Sequence, residues 1–216
     1  MFKLDMHMHS TLSYDGGITM QAIEKLFEQK TLDYIAISDH NEIAFAKEAR
    51  AHFGTKVIVA EEIKTDVGDL IALFIEEKIP SGLSLPETLK LIKAQGGLSY
   101  IPHPFDKMRS GISKEALSQV LGQFDILEVF NARYILPGGN SRALEFANKH
   151  SLVSAVGSDA HRANELGRTF NLIYEAPTRA NLLELLKTAK KVKQYVKPWH
   201  YLNPKYNMLL KYVKTK

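Results

Sequence analysis

Polar and apolar residues alternate strictly at the start of the chain. Phe2, Leu4, Met6 and Met8 share one parity; Lys3, Asp5, His7 and His9 share the other. A period of two predicts a strand with two unlike faces, which sets His7 and His9 on one side with Asp5 behind them. Further apolar runs recur at LDYIAIS (32–38), KVIVAEEI (56–63), DLIALFI (69–75), LSYIP (98–102), ILEVF (126–130), LVSAVGS (152–158) and FNLIY (170–174). Between most of them lie segments of helical period, at 19–30, 43–53, 85–95, 114–121, 141–150 and 179–192. Ser84 ahead of Pro86 and Glu87, and Pro177-Thr178 ahead of the last segment, have the character of helix starts. Strand and helix taking turns along a whole chain predicts parallel strands with crossover helices. Such strands close into a (β/α) barrel or stay open as a doubly wound sheet.

The strand ends discriminate between the two. His7 and His9 end the first run, Asp39 and His40 the second, and Glu61 and Glu62 the third. His103 follows YIP, Glu128 and Asn131 lie in LEVFN, and Asp159 and His161 follow AVGS. In an open sheet chemistry gathers at one switch point. In a barrel every strand end reaches one mouth, so delivery from nearly every strand predicts the barrel.

Composition narrows the chemistry. The 216 residues are 45% hydrophobic and 24% charged, which is globular composition, and there is no cysteine. Any metal must therefore be held by nitrogen and oxygen, and imidazole with carboxylate suits zinc, manganese or iron. His52, His150 and His200 are read as ordinary core or surface residues. The remaining five histidines and their neighbouring carboxylates exceed what one ion needs, which points to two or three metals and to displacement at phosphorus. No apolar run is of membrane or signal length, so a cytoplasmic protein with no membrane partner is expected.

The net charge of +4 is unevenly spread. Residues 187–216 contain nine lysines and no acid, which leaves the first 186 residues at −5. Tyr195, Trp199, Tyr201, Tyr206 and Tyr212 lie among those lysines. This basic tail is either a solvated or anchoring arm, or a patch for nucleic acid.

The ordered set DMHMHS, YDGG, ISDHNE, AEEI, IPHPF, EVFN and GSDAH resembles the polymerase and histidinol phosphatase (PHP) family of metal-dependent phosphoesterases. The resemblance implies a distorted seven-stranded (β/α) TIM-like barrel over residues 1–190, with a metal cluster at its C-terminal mouth and residues 191–216 as a basic arm of the same domain. It makes His7, His9, Asp15, His40, Glu62, His103, Asp159 and His161 the metal ligands. One ion would use His7, His9, Glu62 and Asp159, a second Asp15, His40 and His161, with Glu62 and His103 addressing a third. Glu62 is preferred to Glu61 because it precedes a β-branched residue, and neighbours on a strand face opposite ways. Many relatives have a histidine in the following strand where this chain reads GDLIALF, so Asp69 would substitute or only two ions would be held firmly. Asp5 is expected to orient an imidazole from behind.

The function implied is hydrolysis of a phosphate ester by a metal-activated hydroxide. The substrate would be a small monoester, a nucleotide or an oligonucleotide. Asp15, His40, Glu62, Asp159 and His161 carry catalysis in this reading, and Asn131, Arg133, Arg109 and Arg162 hold phosphate. The rival reading is a nucleic-acid-binding barrel without catalysis, similar to an RNase P protein subunit.

Overall fold

The computed structural model describes residues 1–135 and 137–214; Leu136, Thr215 and Lys216, the last two at the tip of the basic arm, lie outside the described residues. The described residues form nine strands: β1 (Phe2–Asp5), β2 (Tyr34–His40), β3 (Val57–Lys64), β4 (Asp69–Leu73), β5 (Leu98–Ile101), β6 (Ile126–Asn131), β7 (Val153–Gly157), β8 (Phe170–Ile173) and β9 (Lys190–Val192). Seven helices accompany them: α1 (Met20–Glu28), α2 (Ala44–Phe53), α3 (Leu85–Ala94), α4 (Lys114–Gln119), α5 (Gly139–Lys149), α6 (Leu182–Thr188) and α7 (Asn203–Lys214). All nine strands form one sheet in the order β7-β6-β5-β4-β3-β2-β1-β8-β9. The sheet thus has nine strands of mixed direction among the described residues rather than the expected seven, with β8 and β9 antiparallel beyond β1.

The expectation of uniformly parallel strands fails at β4, which pairs antiparallel with both β3 and β5. Only residues 65–68 separate β3 from β4, and a parallel return needs a dozen residues or more. Thr65 and Gly68 close that turn, the Thr65 N–H and hydroxyl both donating to the Gly68 carbonyl. Asp69 therefore enters the mouth at the beginning of its strand. The chain then climbs back outside β3, with the Ile79 N–H donating to Glu61 and the Gly82 N–H to the Lys64 carbonyl. From there α3 descends to β5. Ser84 and Glu87 form a reciprocal capping box at the start of α3, as the sequence pattern suggests.

Side chains tie the two ends of the sheet into a nearly closed barrel. The Asn171 amide from β8 accepts from the Val156 N–H of β7 (3.1 Å) and donates to the Val156 carbonyl (2.9 Å) and to the Leu4 carbonyl of β1 (3.3 Å). The side chain so occupies the place of a strand edge between β7 and β1. Beyond it, Met8 bridges directly to Ala160, and the His9 N–H donates to the Ala160 carbonyl. Leu4, Ala36, Ile58, Ile71, Tyr100 and Ala155 fill the interior together with Leu182, Leu185 and Leu186 of α6. Those three leucines are fully buried, each contributing about 1.5–3 kcal/mol, and they explain why α6 forms. The helix is shorter than the 179–192 pattern implied, because Lys190–Val192 pair with β8 as β9. Among the described residues no helix is long and apolar enough to cross a membrane.

Candidate metal centre

Seven of the eight sequence-nominated ligands are buried at the barrel mouth, and His40 is only slightly open. They converge around Glu62 and Asp159. Glu62 Oε2 lies 3.6 Å from His7 Nε2, 3.4 Å from His9 Nε2 and 3.3 Å from His40 Nδ1, while its Oε1 is 3.1 Å from His103 Nε2. Asp159 Oδ1 lies 3.6 Å from His7 Nε2, 3.3 Å from His9 Nε2 and 3.5 Å from His161 Nδ1. Asp15 Oδ2 faces His161 Nε2 at 3.1 Å and His40 Nε2 at 3.6 Å. Three overlapping sets have their donor atoms close enough to share an ion: His9, Asp15, His40 and His161; His7, Glu62 and His103; and His7, His9 and Asp159. The grouping differs from the sequence expectation in placing His9 also with Asp15. Asp69 lines the same cavity but belongs to none of the three sets, and its Oδ1 faces Lys64 Nζ at 3.4 Å.

The local chain explains how strand ends deliver these groups. Asp159 and His103 adopt positive φ, 52° and 28°, which turns their side chains inward just past the ends of β7 and β5. Alternation does the sorting on β2 and β3. His40 and Glu62 reach the cavity; Asp39 turns away to accept from the Ser10 N–H and hydroxyl, and Glu61 to accept from the Ile79 N–H. Burial pushes the Glu61 carboxyl up to about 7 and that of Asp39 up to about 6. Burial would raise Glu62 and Asp159 too, but the imidazoles around them, with Arg109 beside Asp159, hold both well below the carboxylate range.

The hydrogen bonds behind the imidazoles test whether cations fit. His7 Nδ1 is 3.1 Å from Glu128 Oε1, so it donates there and turns the Nε2 lone pair toward Glu62 and Asp159. His161 Nδ1 likewise donates to the Asp159 carbonyl at 2.8 Å, which aims its Nε2 lone pair at the Asp15 carboxylate. Lone pair facing carboxylate is repulsive unless a positive charge lies between. Both nitrogens of His9, together with His7 Nε2, Glu62 Oε2 and His103 Nδ1, are buried without a hydrogen-bond partner. Burial lowers the basicity of His7 and His40, yet the surrounding carboxylates more than reverse it, raising His7 well above 6.5 and His40 to about 9. Buried His9 beside His161 and His40 falls to about 4. The ionised carboxylates thus call for positive charge in the mouth, and divalent cations bound by the deprotonated imidazoles and the carboxylates would supply it.

The group holding His7 from behind is not Asp5. Asp5 Oδ1 accepts from the backbone N–H of Ser158 (3.1 Å) and of His7 (3.4 Å), fastening β1 to β7 rather than orienting a ring. Glu128 takes that part: it also accepts from the Tyr100 hydroxyl (2.7 Å), the His103 N–H (2.6 Å) and Asn131 Nδ2 (2.8 Å). Gly157 makes room for it, since a β-carbon there would fall 2.1 Å from Glu128 Oε1. Glu128 was visible in EVFN as a strand-end acid, but its direction was not.

The four nominated phosphate-holding residues divide. Arg109 grips Asp106 through Nε (2.9 Å) and Nη2 (2.7 Å) and reaches Asp159 Oδ2 at 2.5 Å and Asn131 Oδ1 at 3.0 Å through Nη1. Asn131 Nδ2 joins Glu128 to Asp159 from the inside. Arg133 borders the cavity, but its Nη1 is taken by Glu165 (2.8 Å) and the His200 carbonyl (3.2 Å). Arg162 turns to α7, donating to Asn207 Oδ1 at 3.0 Å beneath the Tyr206 ring. The cavity above the cluster has a volume of about 320 Å³ and is rimmed by Tyr14, Met108, Ile135, Tyr201 and Lys205. The basic arm is therefore a wall of the mouth. Its Asn207 donates to the carbonyls of Asp15 (2.8 Å) and His161 (3.0 Å).

Comparison with known proteins agrees with this arrangement. Residues 137–190 match the family model described as PHP-associated. The chain is 34% identical over 231 aligned residues to MJ0417, an uncharacterized protein of Methanocaldococcus jannaschii, covering 96% of this chain and 94% of that one. The fold is similar to a two-domain protein of Bacteroides vulgatus containing a predicted PHP-like metal-dependent phosphoesterase (TM-score 0.71, 18% identity, 96% of this chain and 69% of that one). It is similar also to the lesion-specific endonuclease PfuEndoQ of Pyrococcus furiosus (TM-score 0.66, 16% identity, 88% and 57%). Fold, clustered donors and a full-length relative converge, and the chain belongs to the PHP family.

Proposed function

We propose that this protein is a metal-dependent hydrolase of phosphate esters, with His7, His9, Asp15, His40, Glu62, His103, Asp159 and His161 holding two or three divalent ions of manganese, zinc or iron. The observation that carries the reading is the convergence of three donor sets of buried imidazoles and carboxylates at the mouth, several of their nitrogens without a hydrogen-bond partner, an arrangement that divalent cations would satisfy. Ions bound there supply Lewis acidity toward phosphoryl oxygens and acidify a water to nucleophile strength near neutral pH. The chain supplies the rest. Glu62 and Asp159 fix the spacing of the three donor sets, and Glu128 and the Asp159 carbonyl hold His7 and His161 with their Nε2 lone pairs inward. Arg109, braced by Asp106, places a planar guanidinium at the cavity edge, where it offsets charge developing on phosphoryl oxygens. Asn131 orients Arg109 and Asp159 together, Arg133 stiffens the wall through Glu165, and Arg162 acts through α7.

A cavity of about 320 Å³ suits a small phosphomonoester or one nucleotide at the reacting position. The binding-scaffold reading is not favoured, because a module that only binds RNA has no use for buried, unpaired imidazoles. The test is a screen of sugar phosphates, nucleotides and short oligonucleotides with the manganese-, zinc- or iron-loaded protein. At least one class should turn over, and Glu62→Ala or Asp159→Ala should lower that rate by several orders of magnitude without unfolding the barrel. Equal turnover by wild type and both variants would contradict the assignment.

A further inference from the structure

One loop divides two cavities. In the segment between β5 and α4, His103, Met108, Arg109 and Ser110 face the mouth, whereas Phe105, Lys107 and Gly111 line a second cavity of about 410 Å³ between α4 and α5. At Gly111 a β-carbon would fall 2.3 Å from the His103 carbonyl oxygen and 2.5 Å from the Asp106 nitrogen, so the loop doubles back tightly on itself. Phe105 adopts a positive φ of 70°, which turns its ring out of the mouth and edge-on against Phe146 of α5, with ring centres 5.5 Å apart. Phe146 is buried and Phe105 half-buried, so the floor of this groove is aromatic. Its rim is cationic. Lys107 lies on the loop, Lys114 begins α4, and Arg142 and Lys149 stand two turns apart on one face of α5. All four are exposed, and among the described residues none of them makes an ion pair. Glu115 and Glu145 also line the groove, which leaves a local excess of two positive charges. That excess lies in a body whose first 186 residues sum to −5.

We propose that this groove continues the mouth and takes the nucleotide that follows the one at the reacting position in a single-stranded oligonucleotide. The inference rests on the phosphoesterase reading and narrows its substrate to a chain of nucleotides. Single strands are held by cations that track the phosphates and by aromatic faces on which bases stack, whatever their sequence. The groove offers both: Phe105 on its floor, and lysines and an arginine on its rim that no carboxylate of the protein neutralises. Met108, 67% exposed, stands on the loop between Lys107 on the groove side and Arg109 on the mouth side. Its flexible thioether chain suits the underside of a strand crossing from one cavity to the other. A sugar phosphate or a single nucleotide fills the mouth and leaves the groove empty. An acidic peptide matches the cations but brings no flat ring to Phe105.

The test reads binding alone, so the groove and the hydrolase reading fail separately. Calorimetry on the manganese-loaded full chain compares thymidine 5′-thiophosphate with its dimer and tetramer, joined by phosphorothioate links that resist cleavage. Affinity should rise at least about tenfold from monomer to tetramer. Lys114→Gln combined with Lys149→Gln should remove most of that gain and flatten the tetramer's slope of log affinity against log salt by about 1.4. The monomer's affinity and the melting curve should not change, since both lysines are exposed. The matched change on the basic arm, Lys193→Gln with Lys197→Gln, should leave tetramer binding as it is. Equal affinity for monomer and tetramer would overturn the inference. So would a tetramer insensitive to the Lys114 and Lys149 changes, loss of the gain through the arm pair instead, or a hexaglutamate peptide that competes as well as the tetramer. Groove-dependent binding without turnover of any phosphate ester would uphold the groove and overturn the hydrolase reading.

Discussion

Glu61 and Glu62 are adjacent and both buried, yet their side chains face opposite sides of the sheet. Glu62 faces four imidazoles, and they hold it ionised; Glu61 faces the Ile79 N–H on the other side of the sheet, and burial favours its neutral form. Glu61→Ala should therefore keep metal content and turnover but lose about 1–3 kcal/mol of stability, because the Ile79 N–H is left buried and unpaired. Glu61→Gln should restore most of that loss, and denaturant melts of the three proteins check both statements. Glu128 sits one layer behind the cluster, where His7, Tyr100, His103 and Asn131 all bond to it. Glu128→Gln should weaken metal affinity about 10- to 100-fold in a competition titration with a chelator, with little change in fold.

At the scale of elements, barrel closure depends on one amide. Asn171 bonds three backbone groups on β7 and β1, so Asn171→Ala should cost about 2–4 kcal/mol in a reversible melt, leaving the Val156 N–H and carbonyl without those partners. A loss below about 0.5 kcal/mol would show that the backbone pairs elsewhere. No hydrophobic pattern announces such a residue, since FNLIY reads as a strand whatever Asn171 does. The direction of β4 was legible in principle. DLIALFI has the same apolar character in either direction, but the four-residue link before it is too short for a parallel crossover. The strand-end ligands were legible because alternation fixes facing over two or three residues, as at His7 and His9. The Glu128 contact was not, because it depends on packing across Gly157 that brings Glu128 to His7, 121 residues of chain away.

At the scale of the whole molecule, the basic tail and the barrel mouth are one structure. Asn207 bonds to the carbonyls of Asp15 and His161, and Tyr201 and Lys205 line the cavity, so the arm supports the same groups that the strands deliver. Its composition left two readings open, a solvated or anchoring arm and a patch for nucleic acid, and its hydrogen bonds to the barrel mouth are those of an anchoring arm; composition averages over the faces of a helix and cannot say which one is buried. The central claim is that the mouth is built to hold cations, and its most direct test is elemental analysis of the purified protein after reconstitution with manganese, zinc or iron. The account predicts at least two divalent ions per chain at neutral pH, with retention falling as pH drops, since the surrounding carboxylates raise the basicity of His7 and His40 and protons compete for them from neutral pH downward. Less than one ion per chain with all three metals would contradict it.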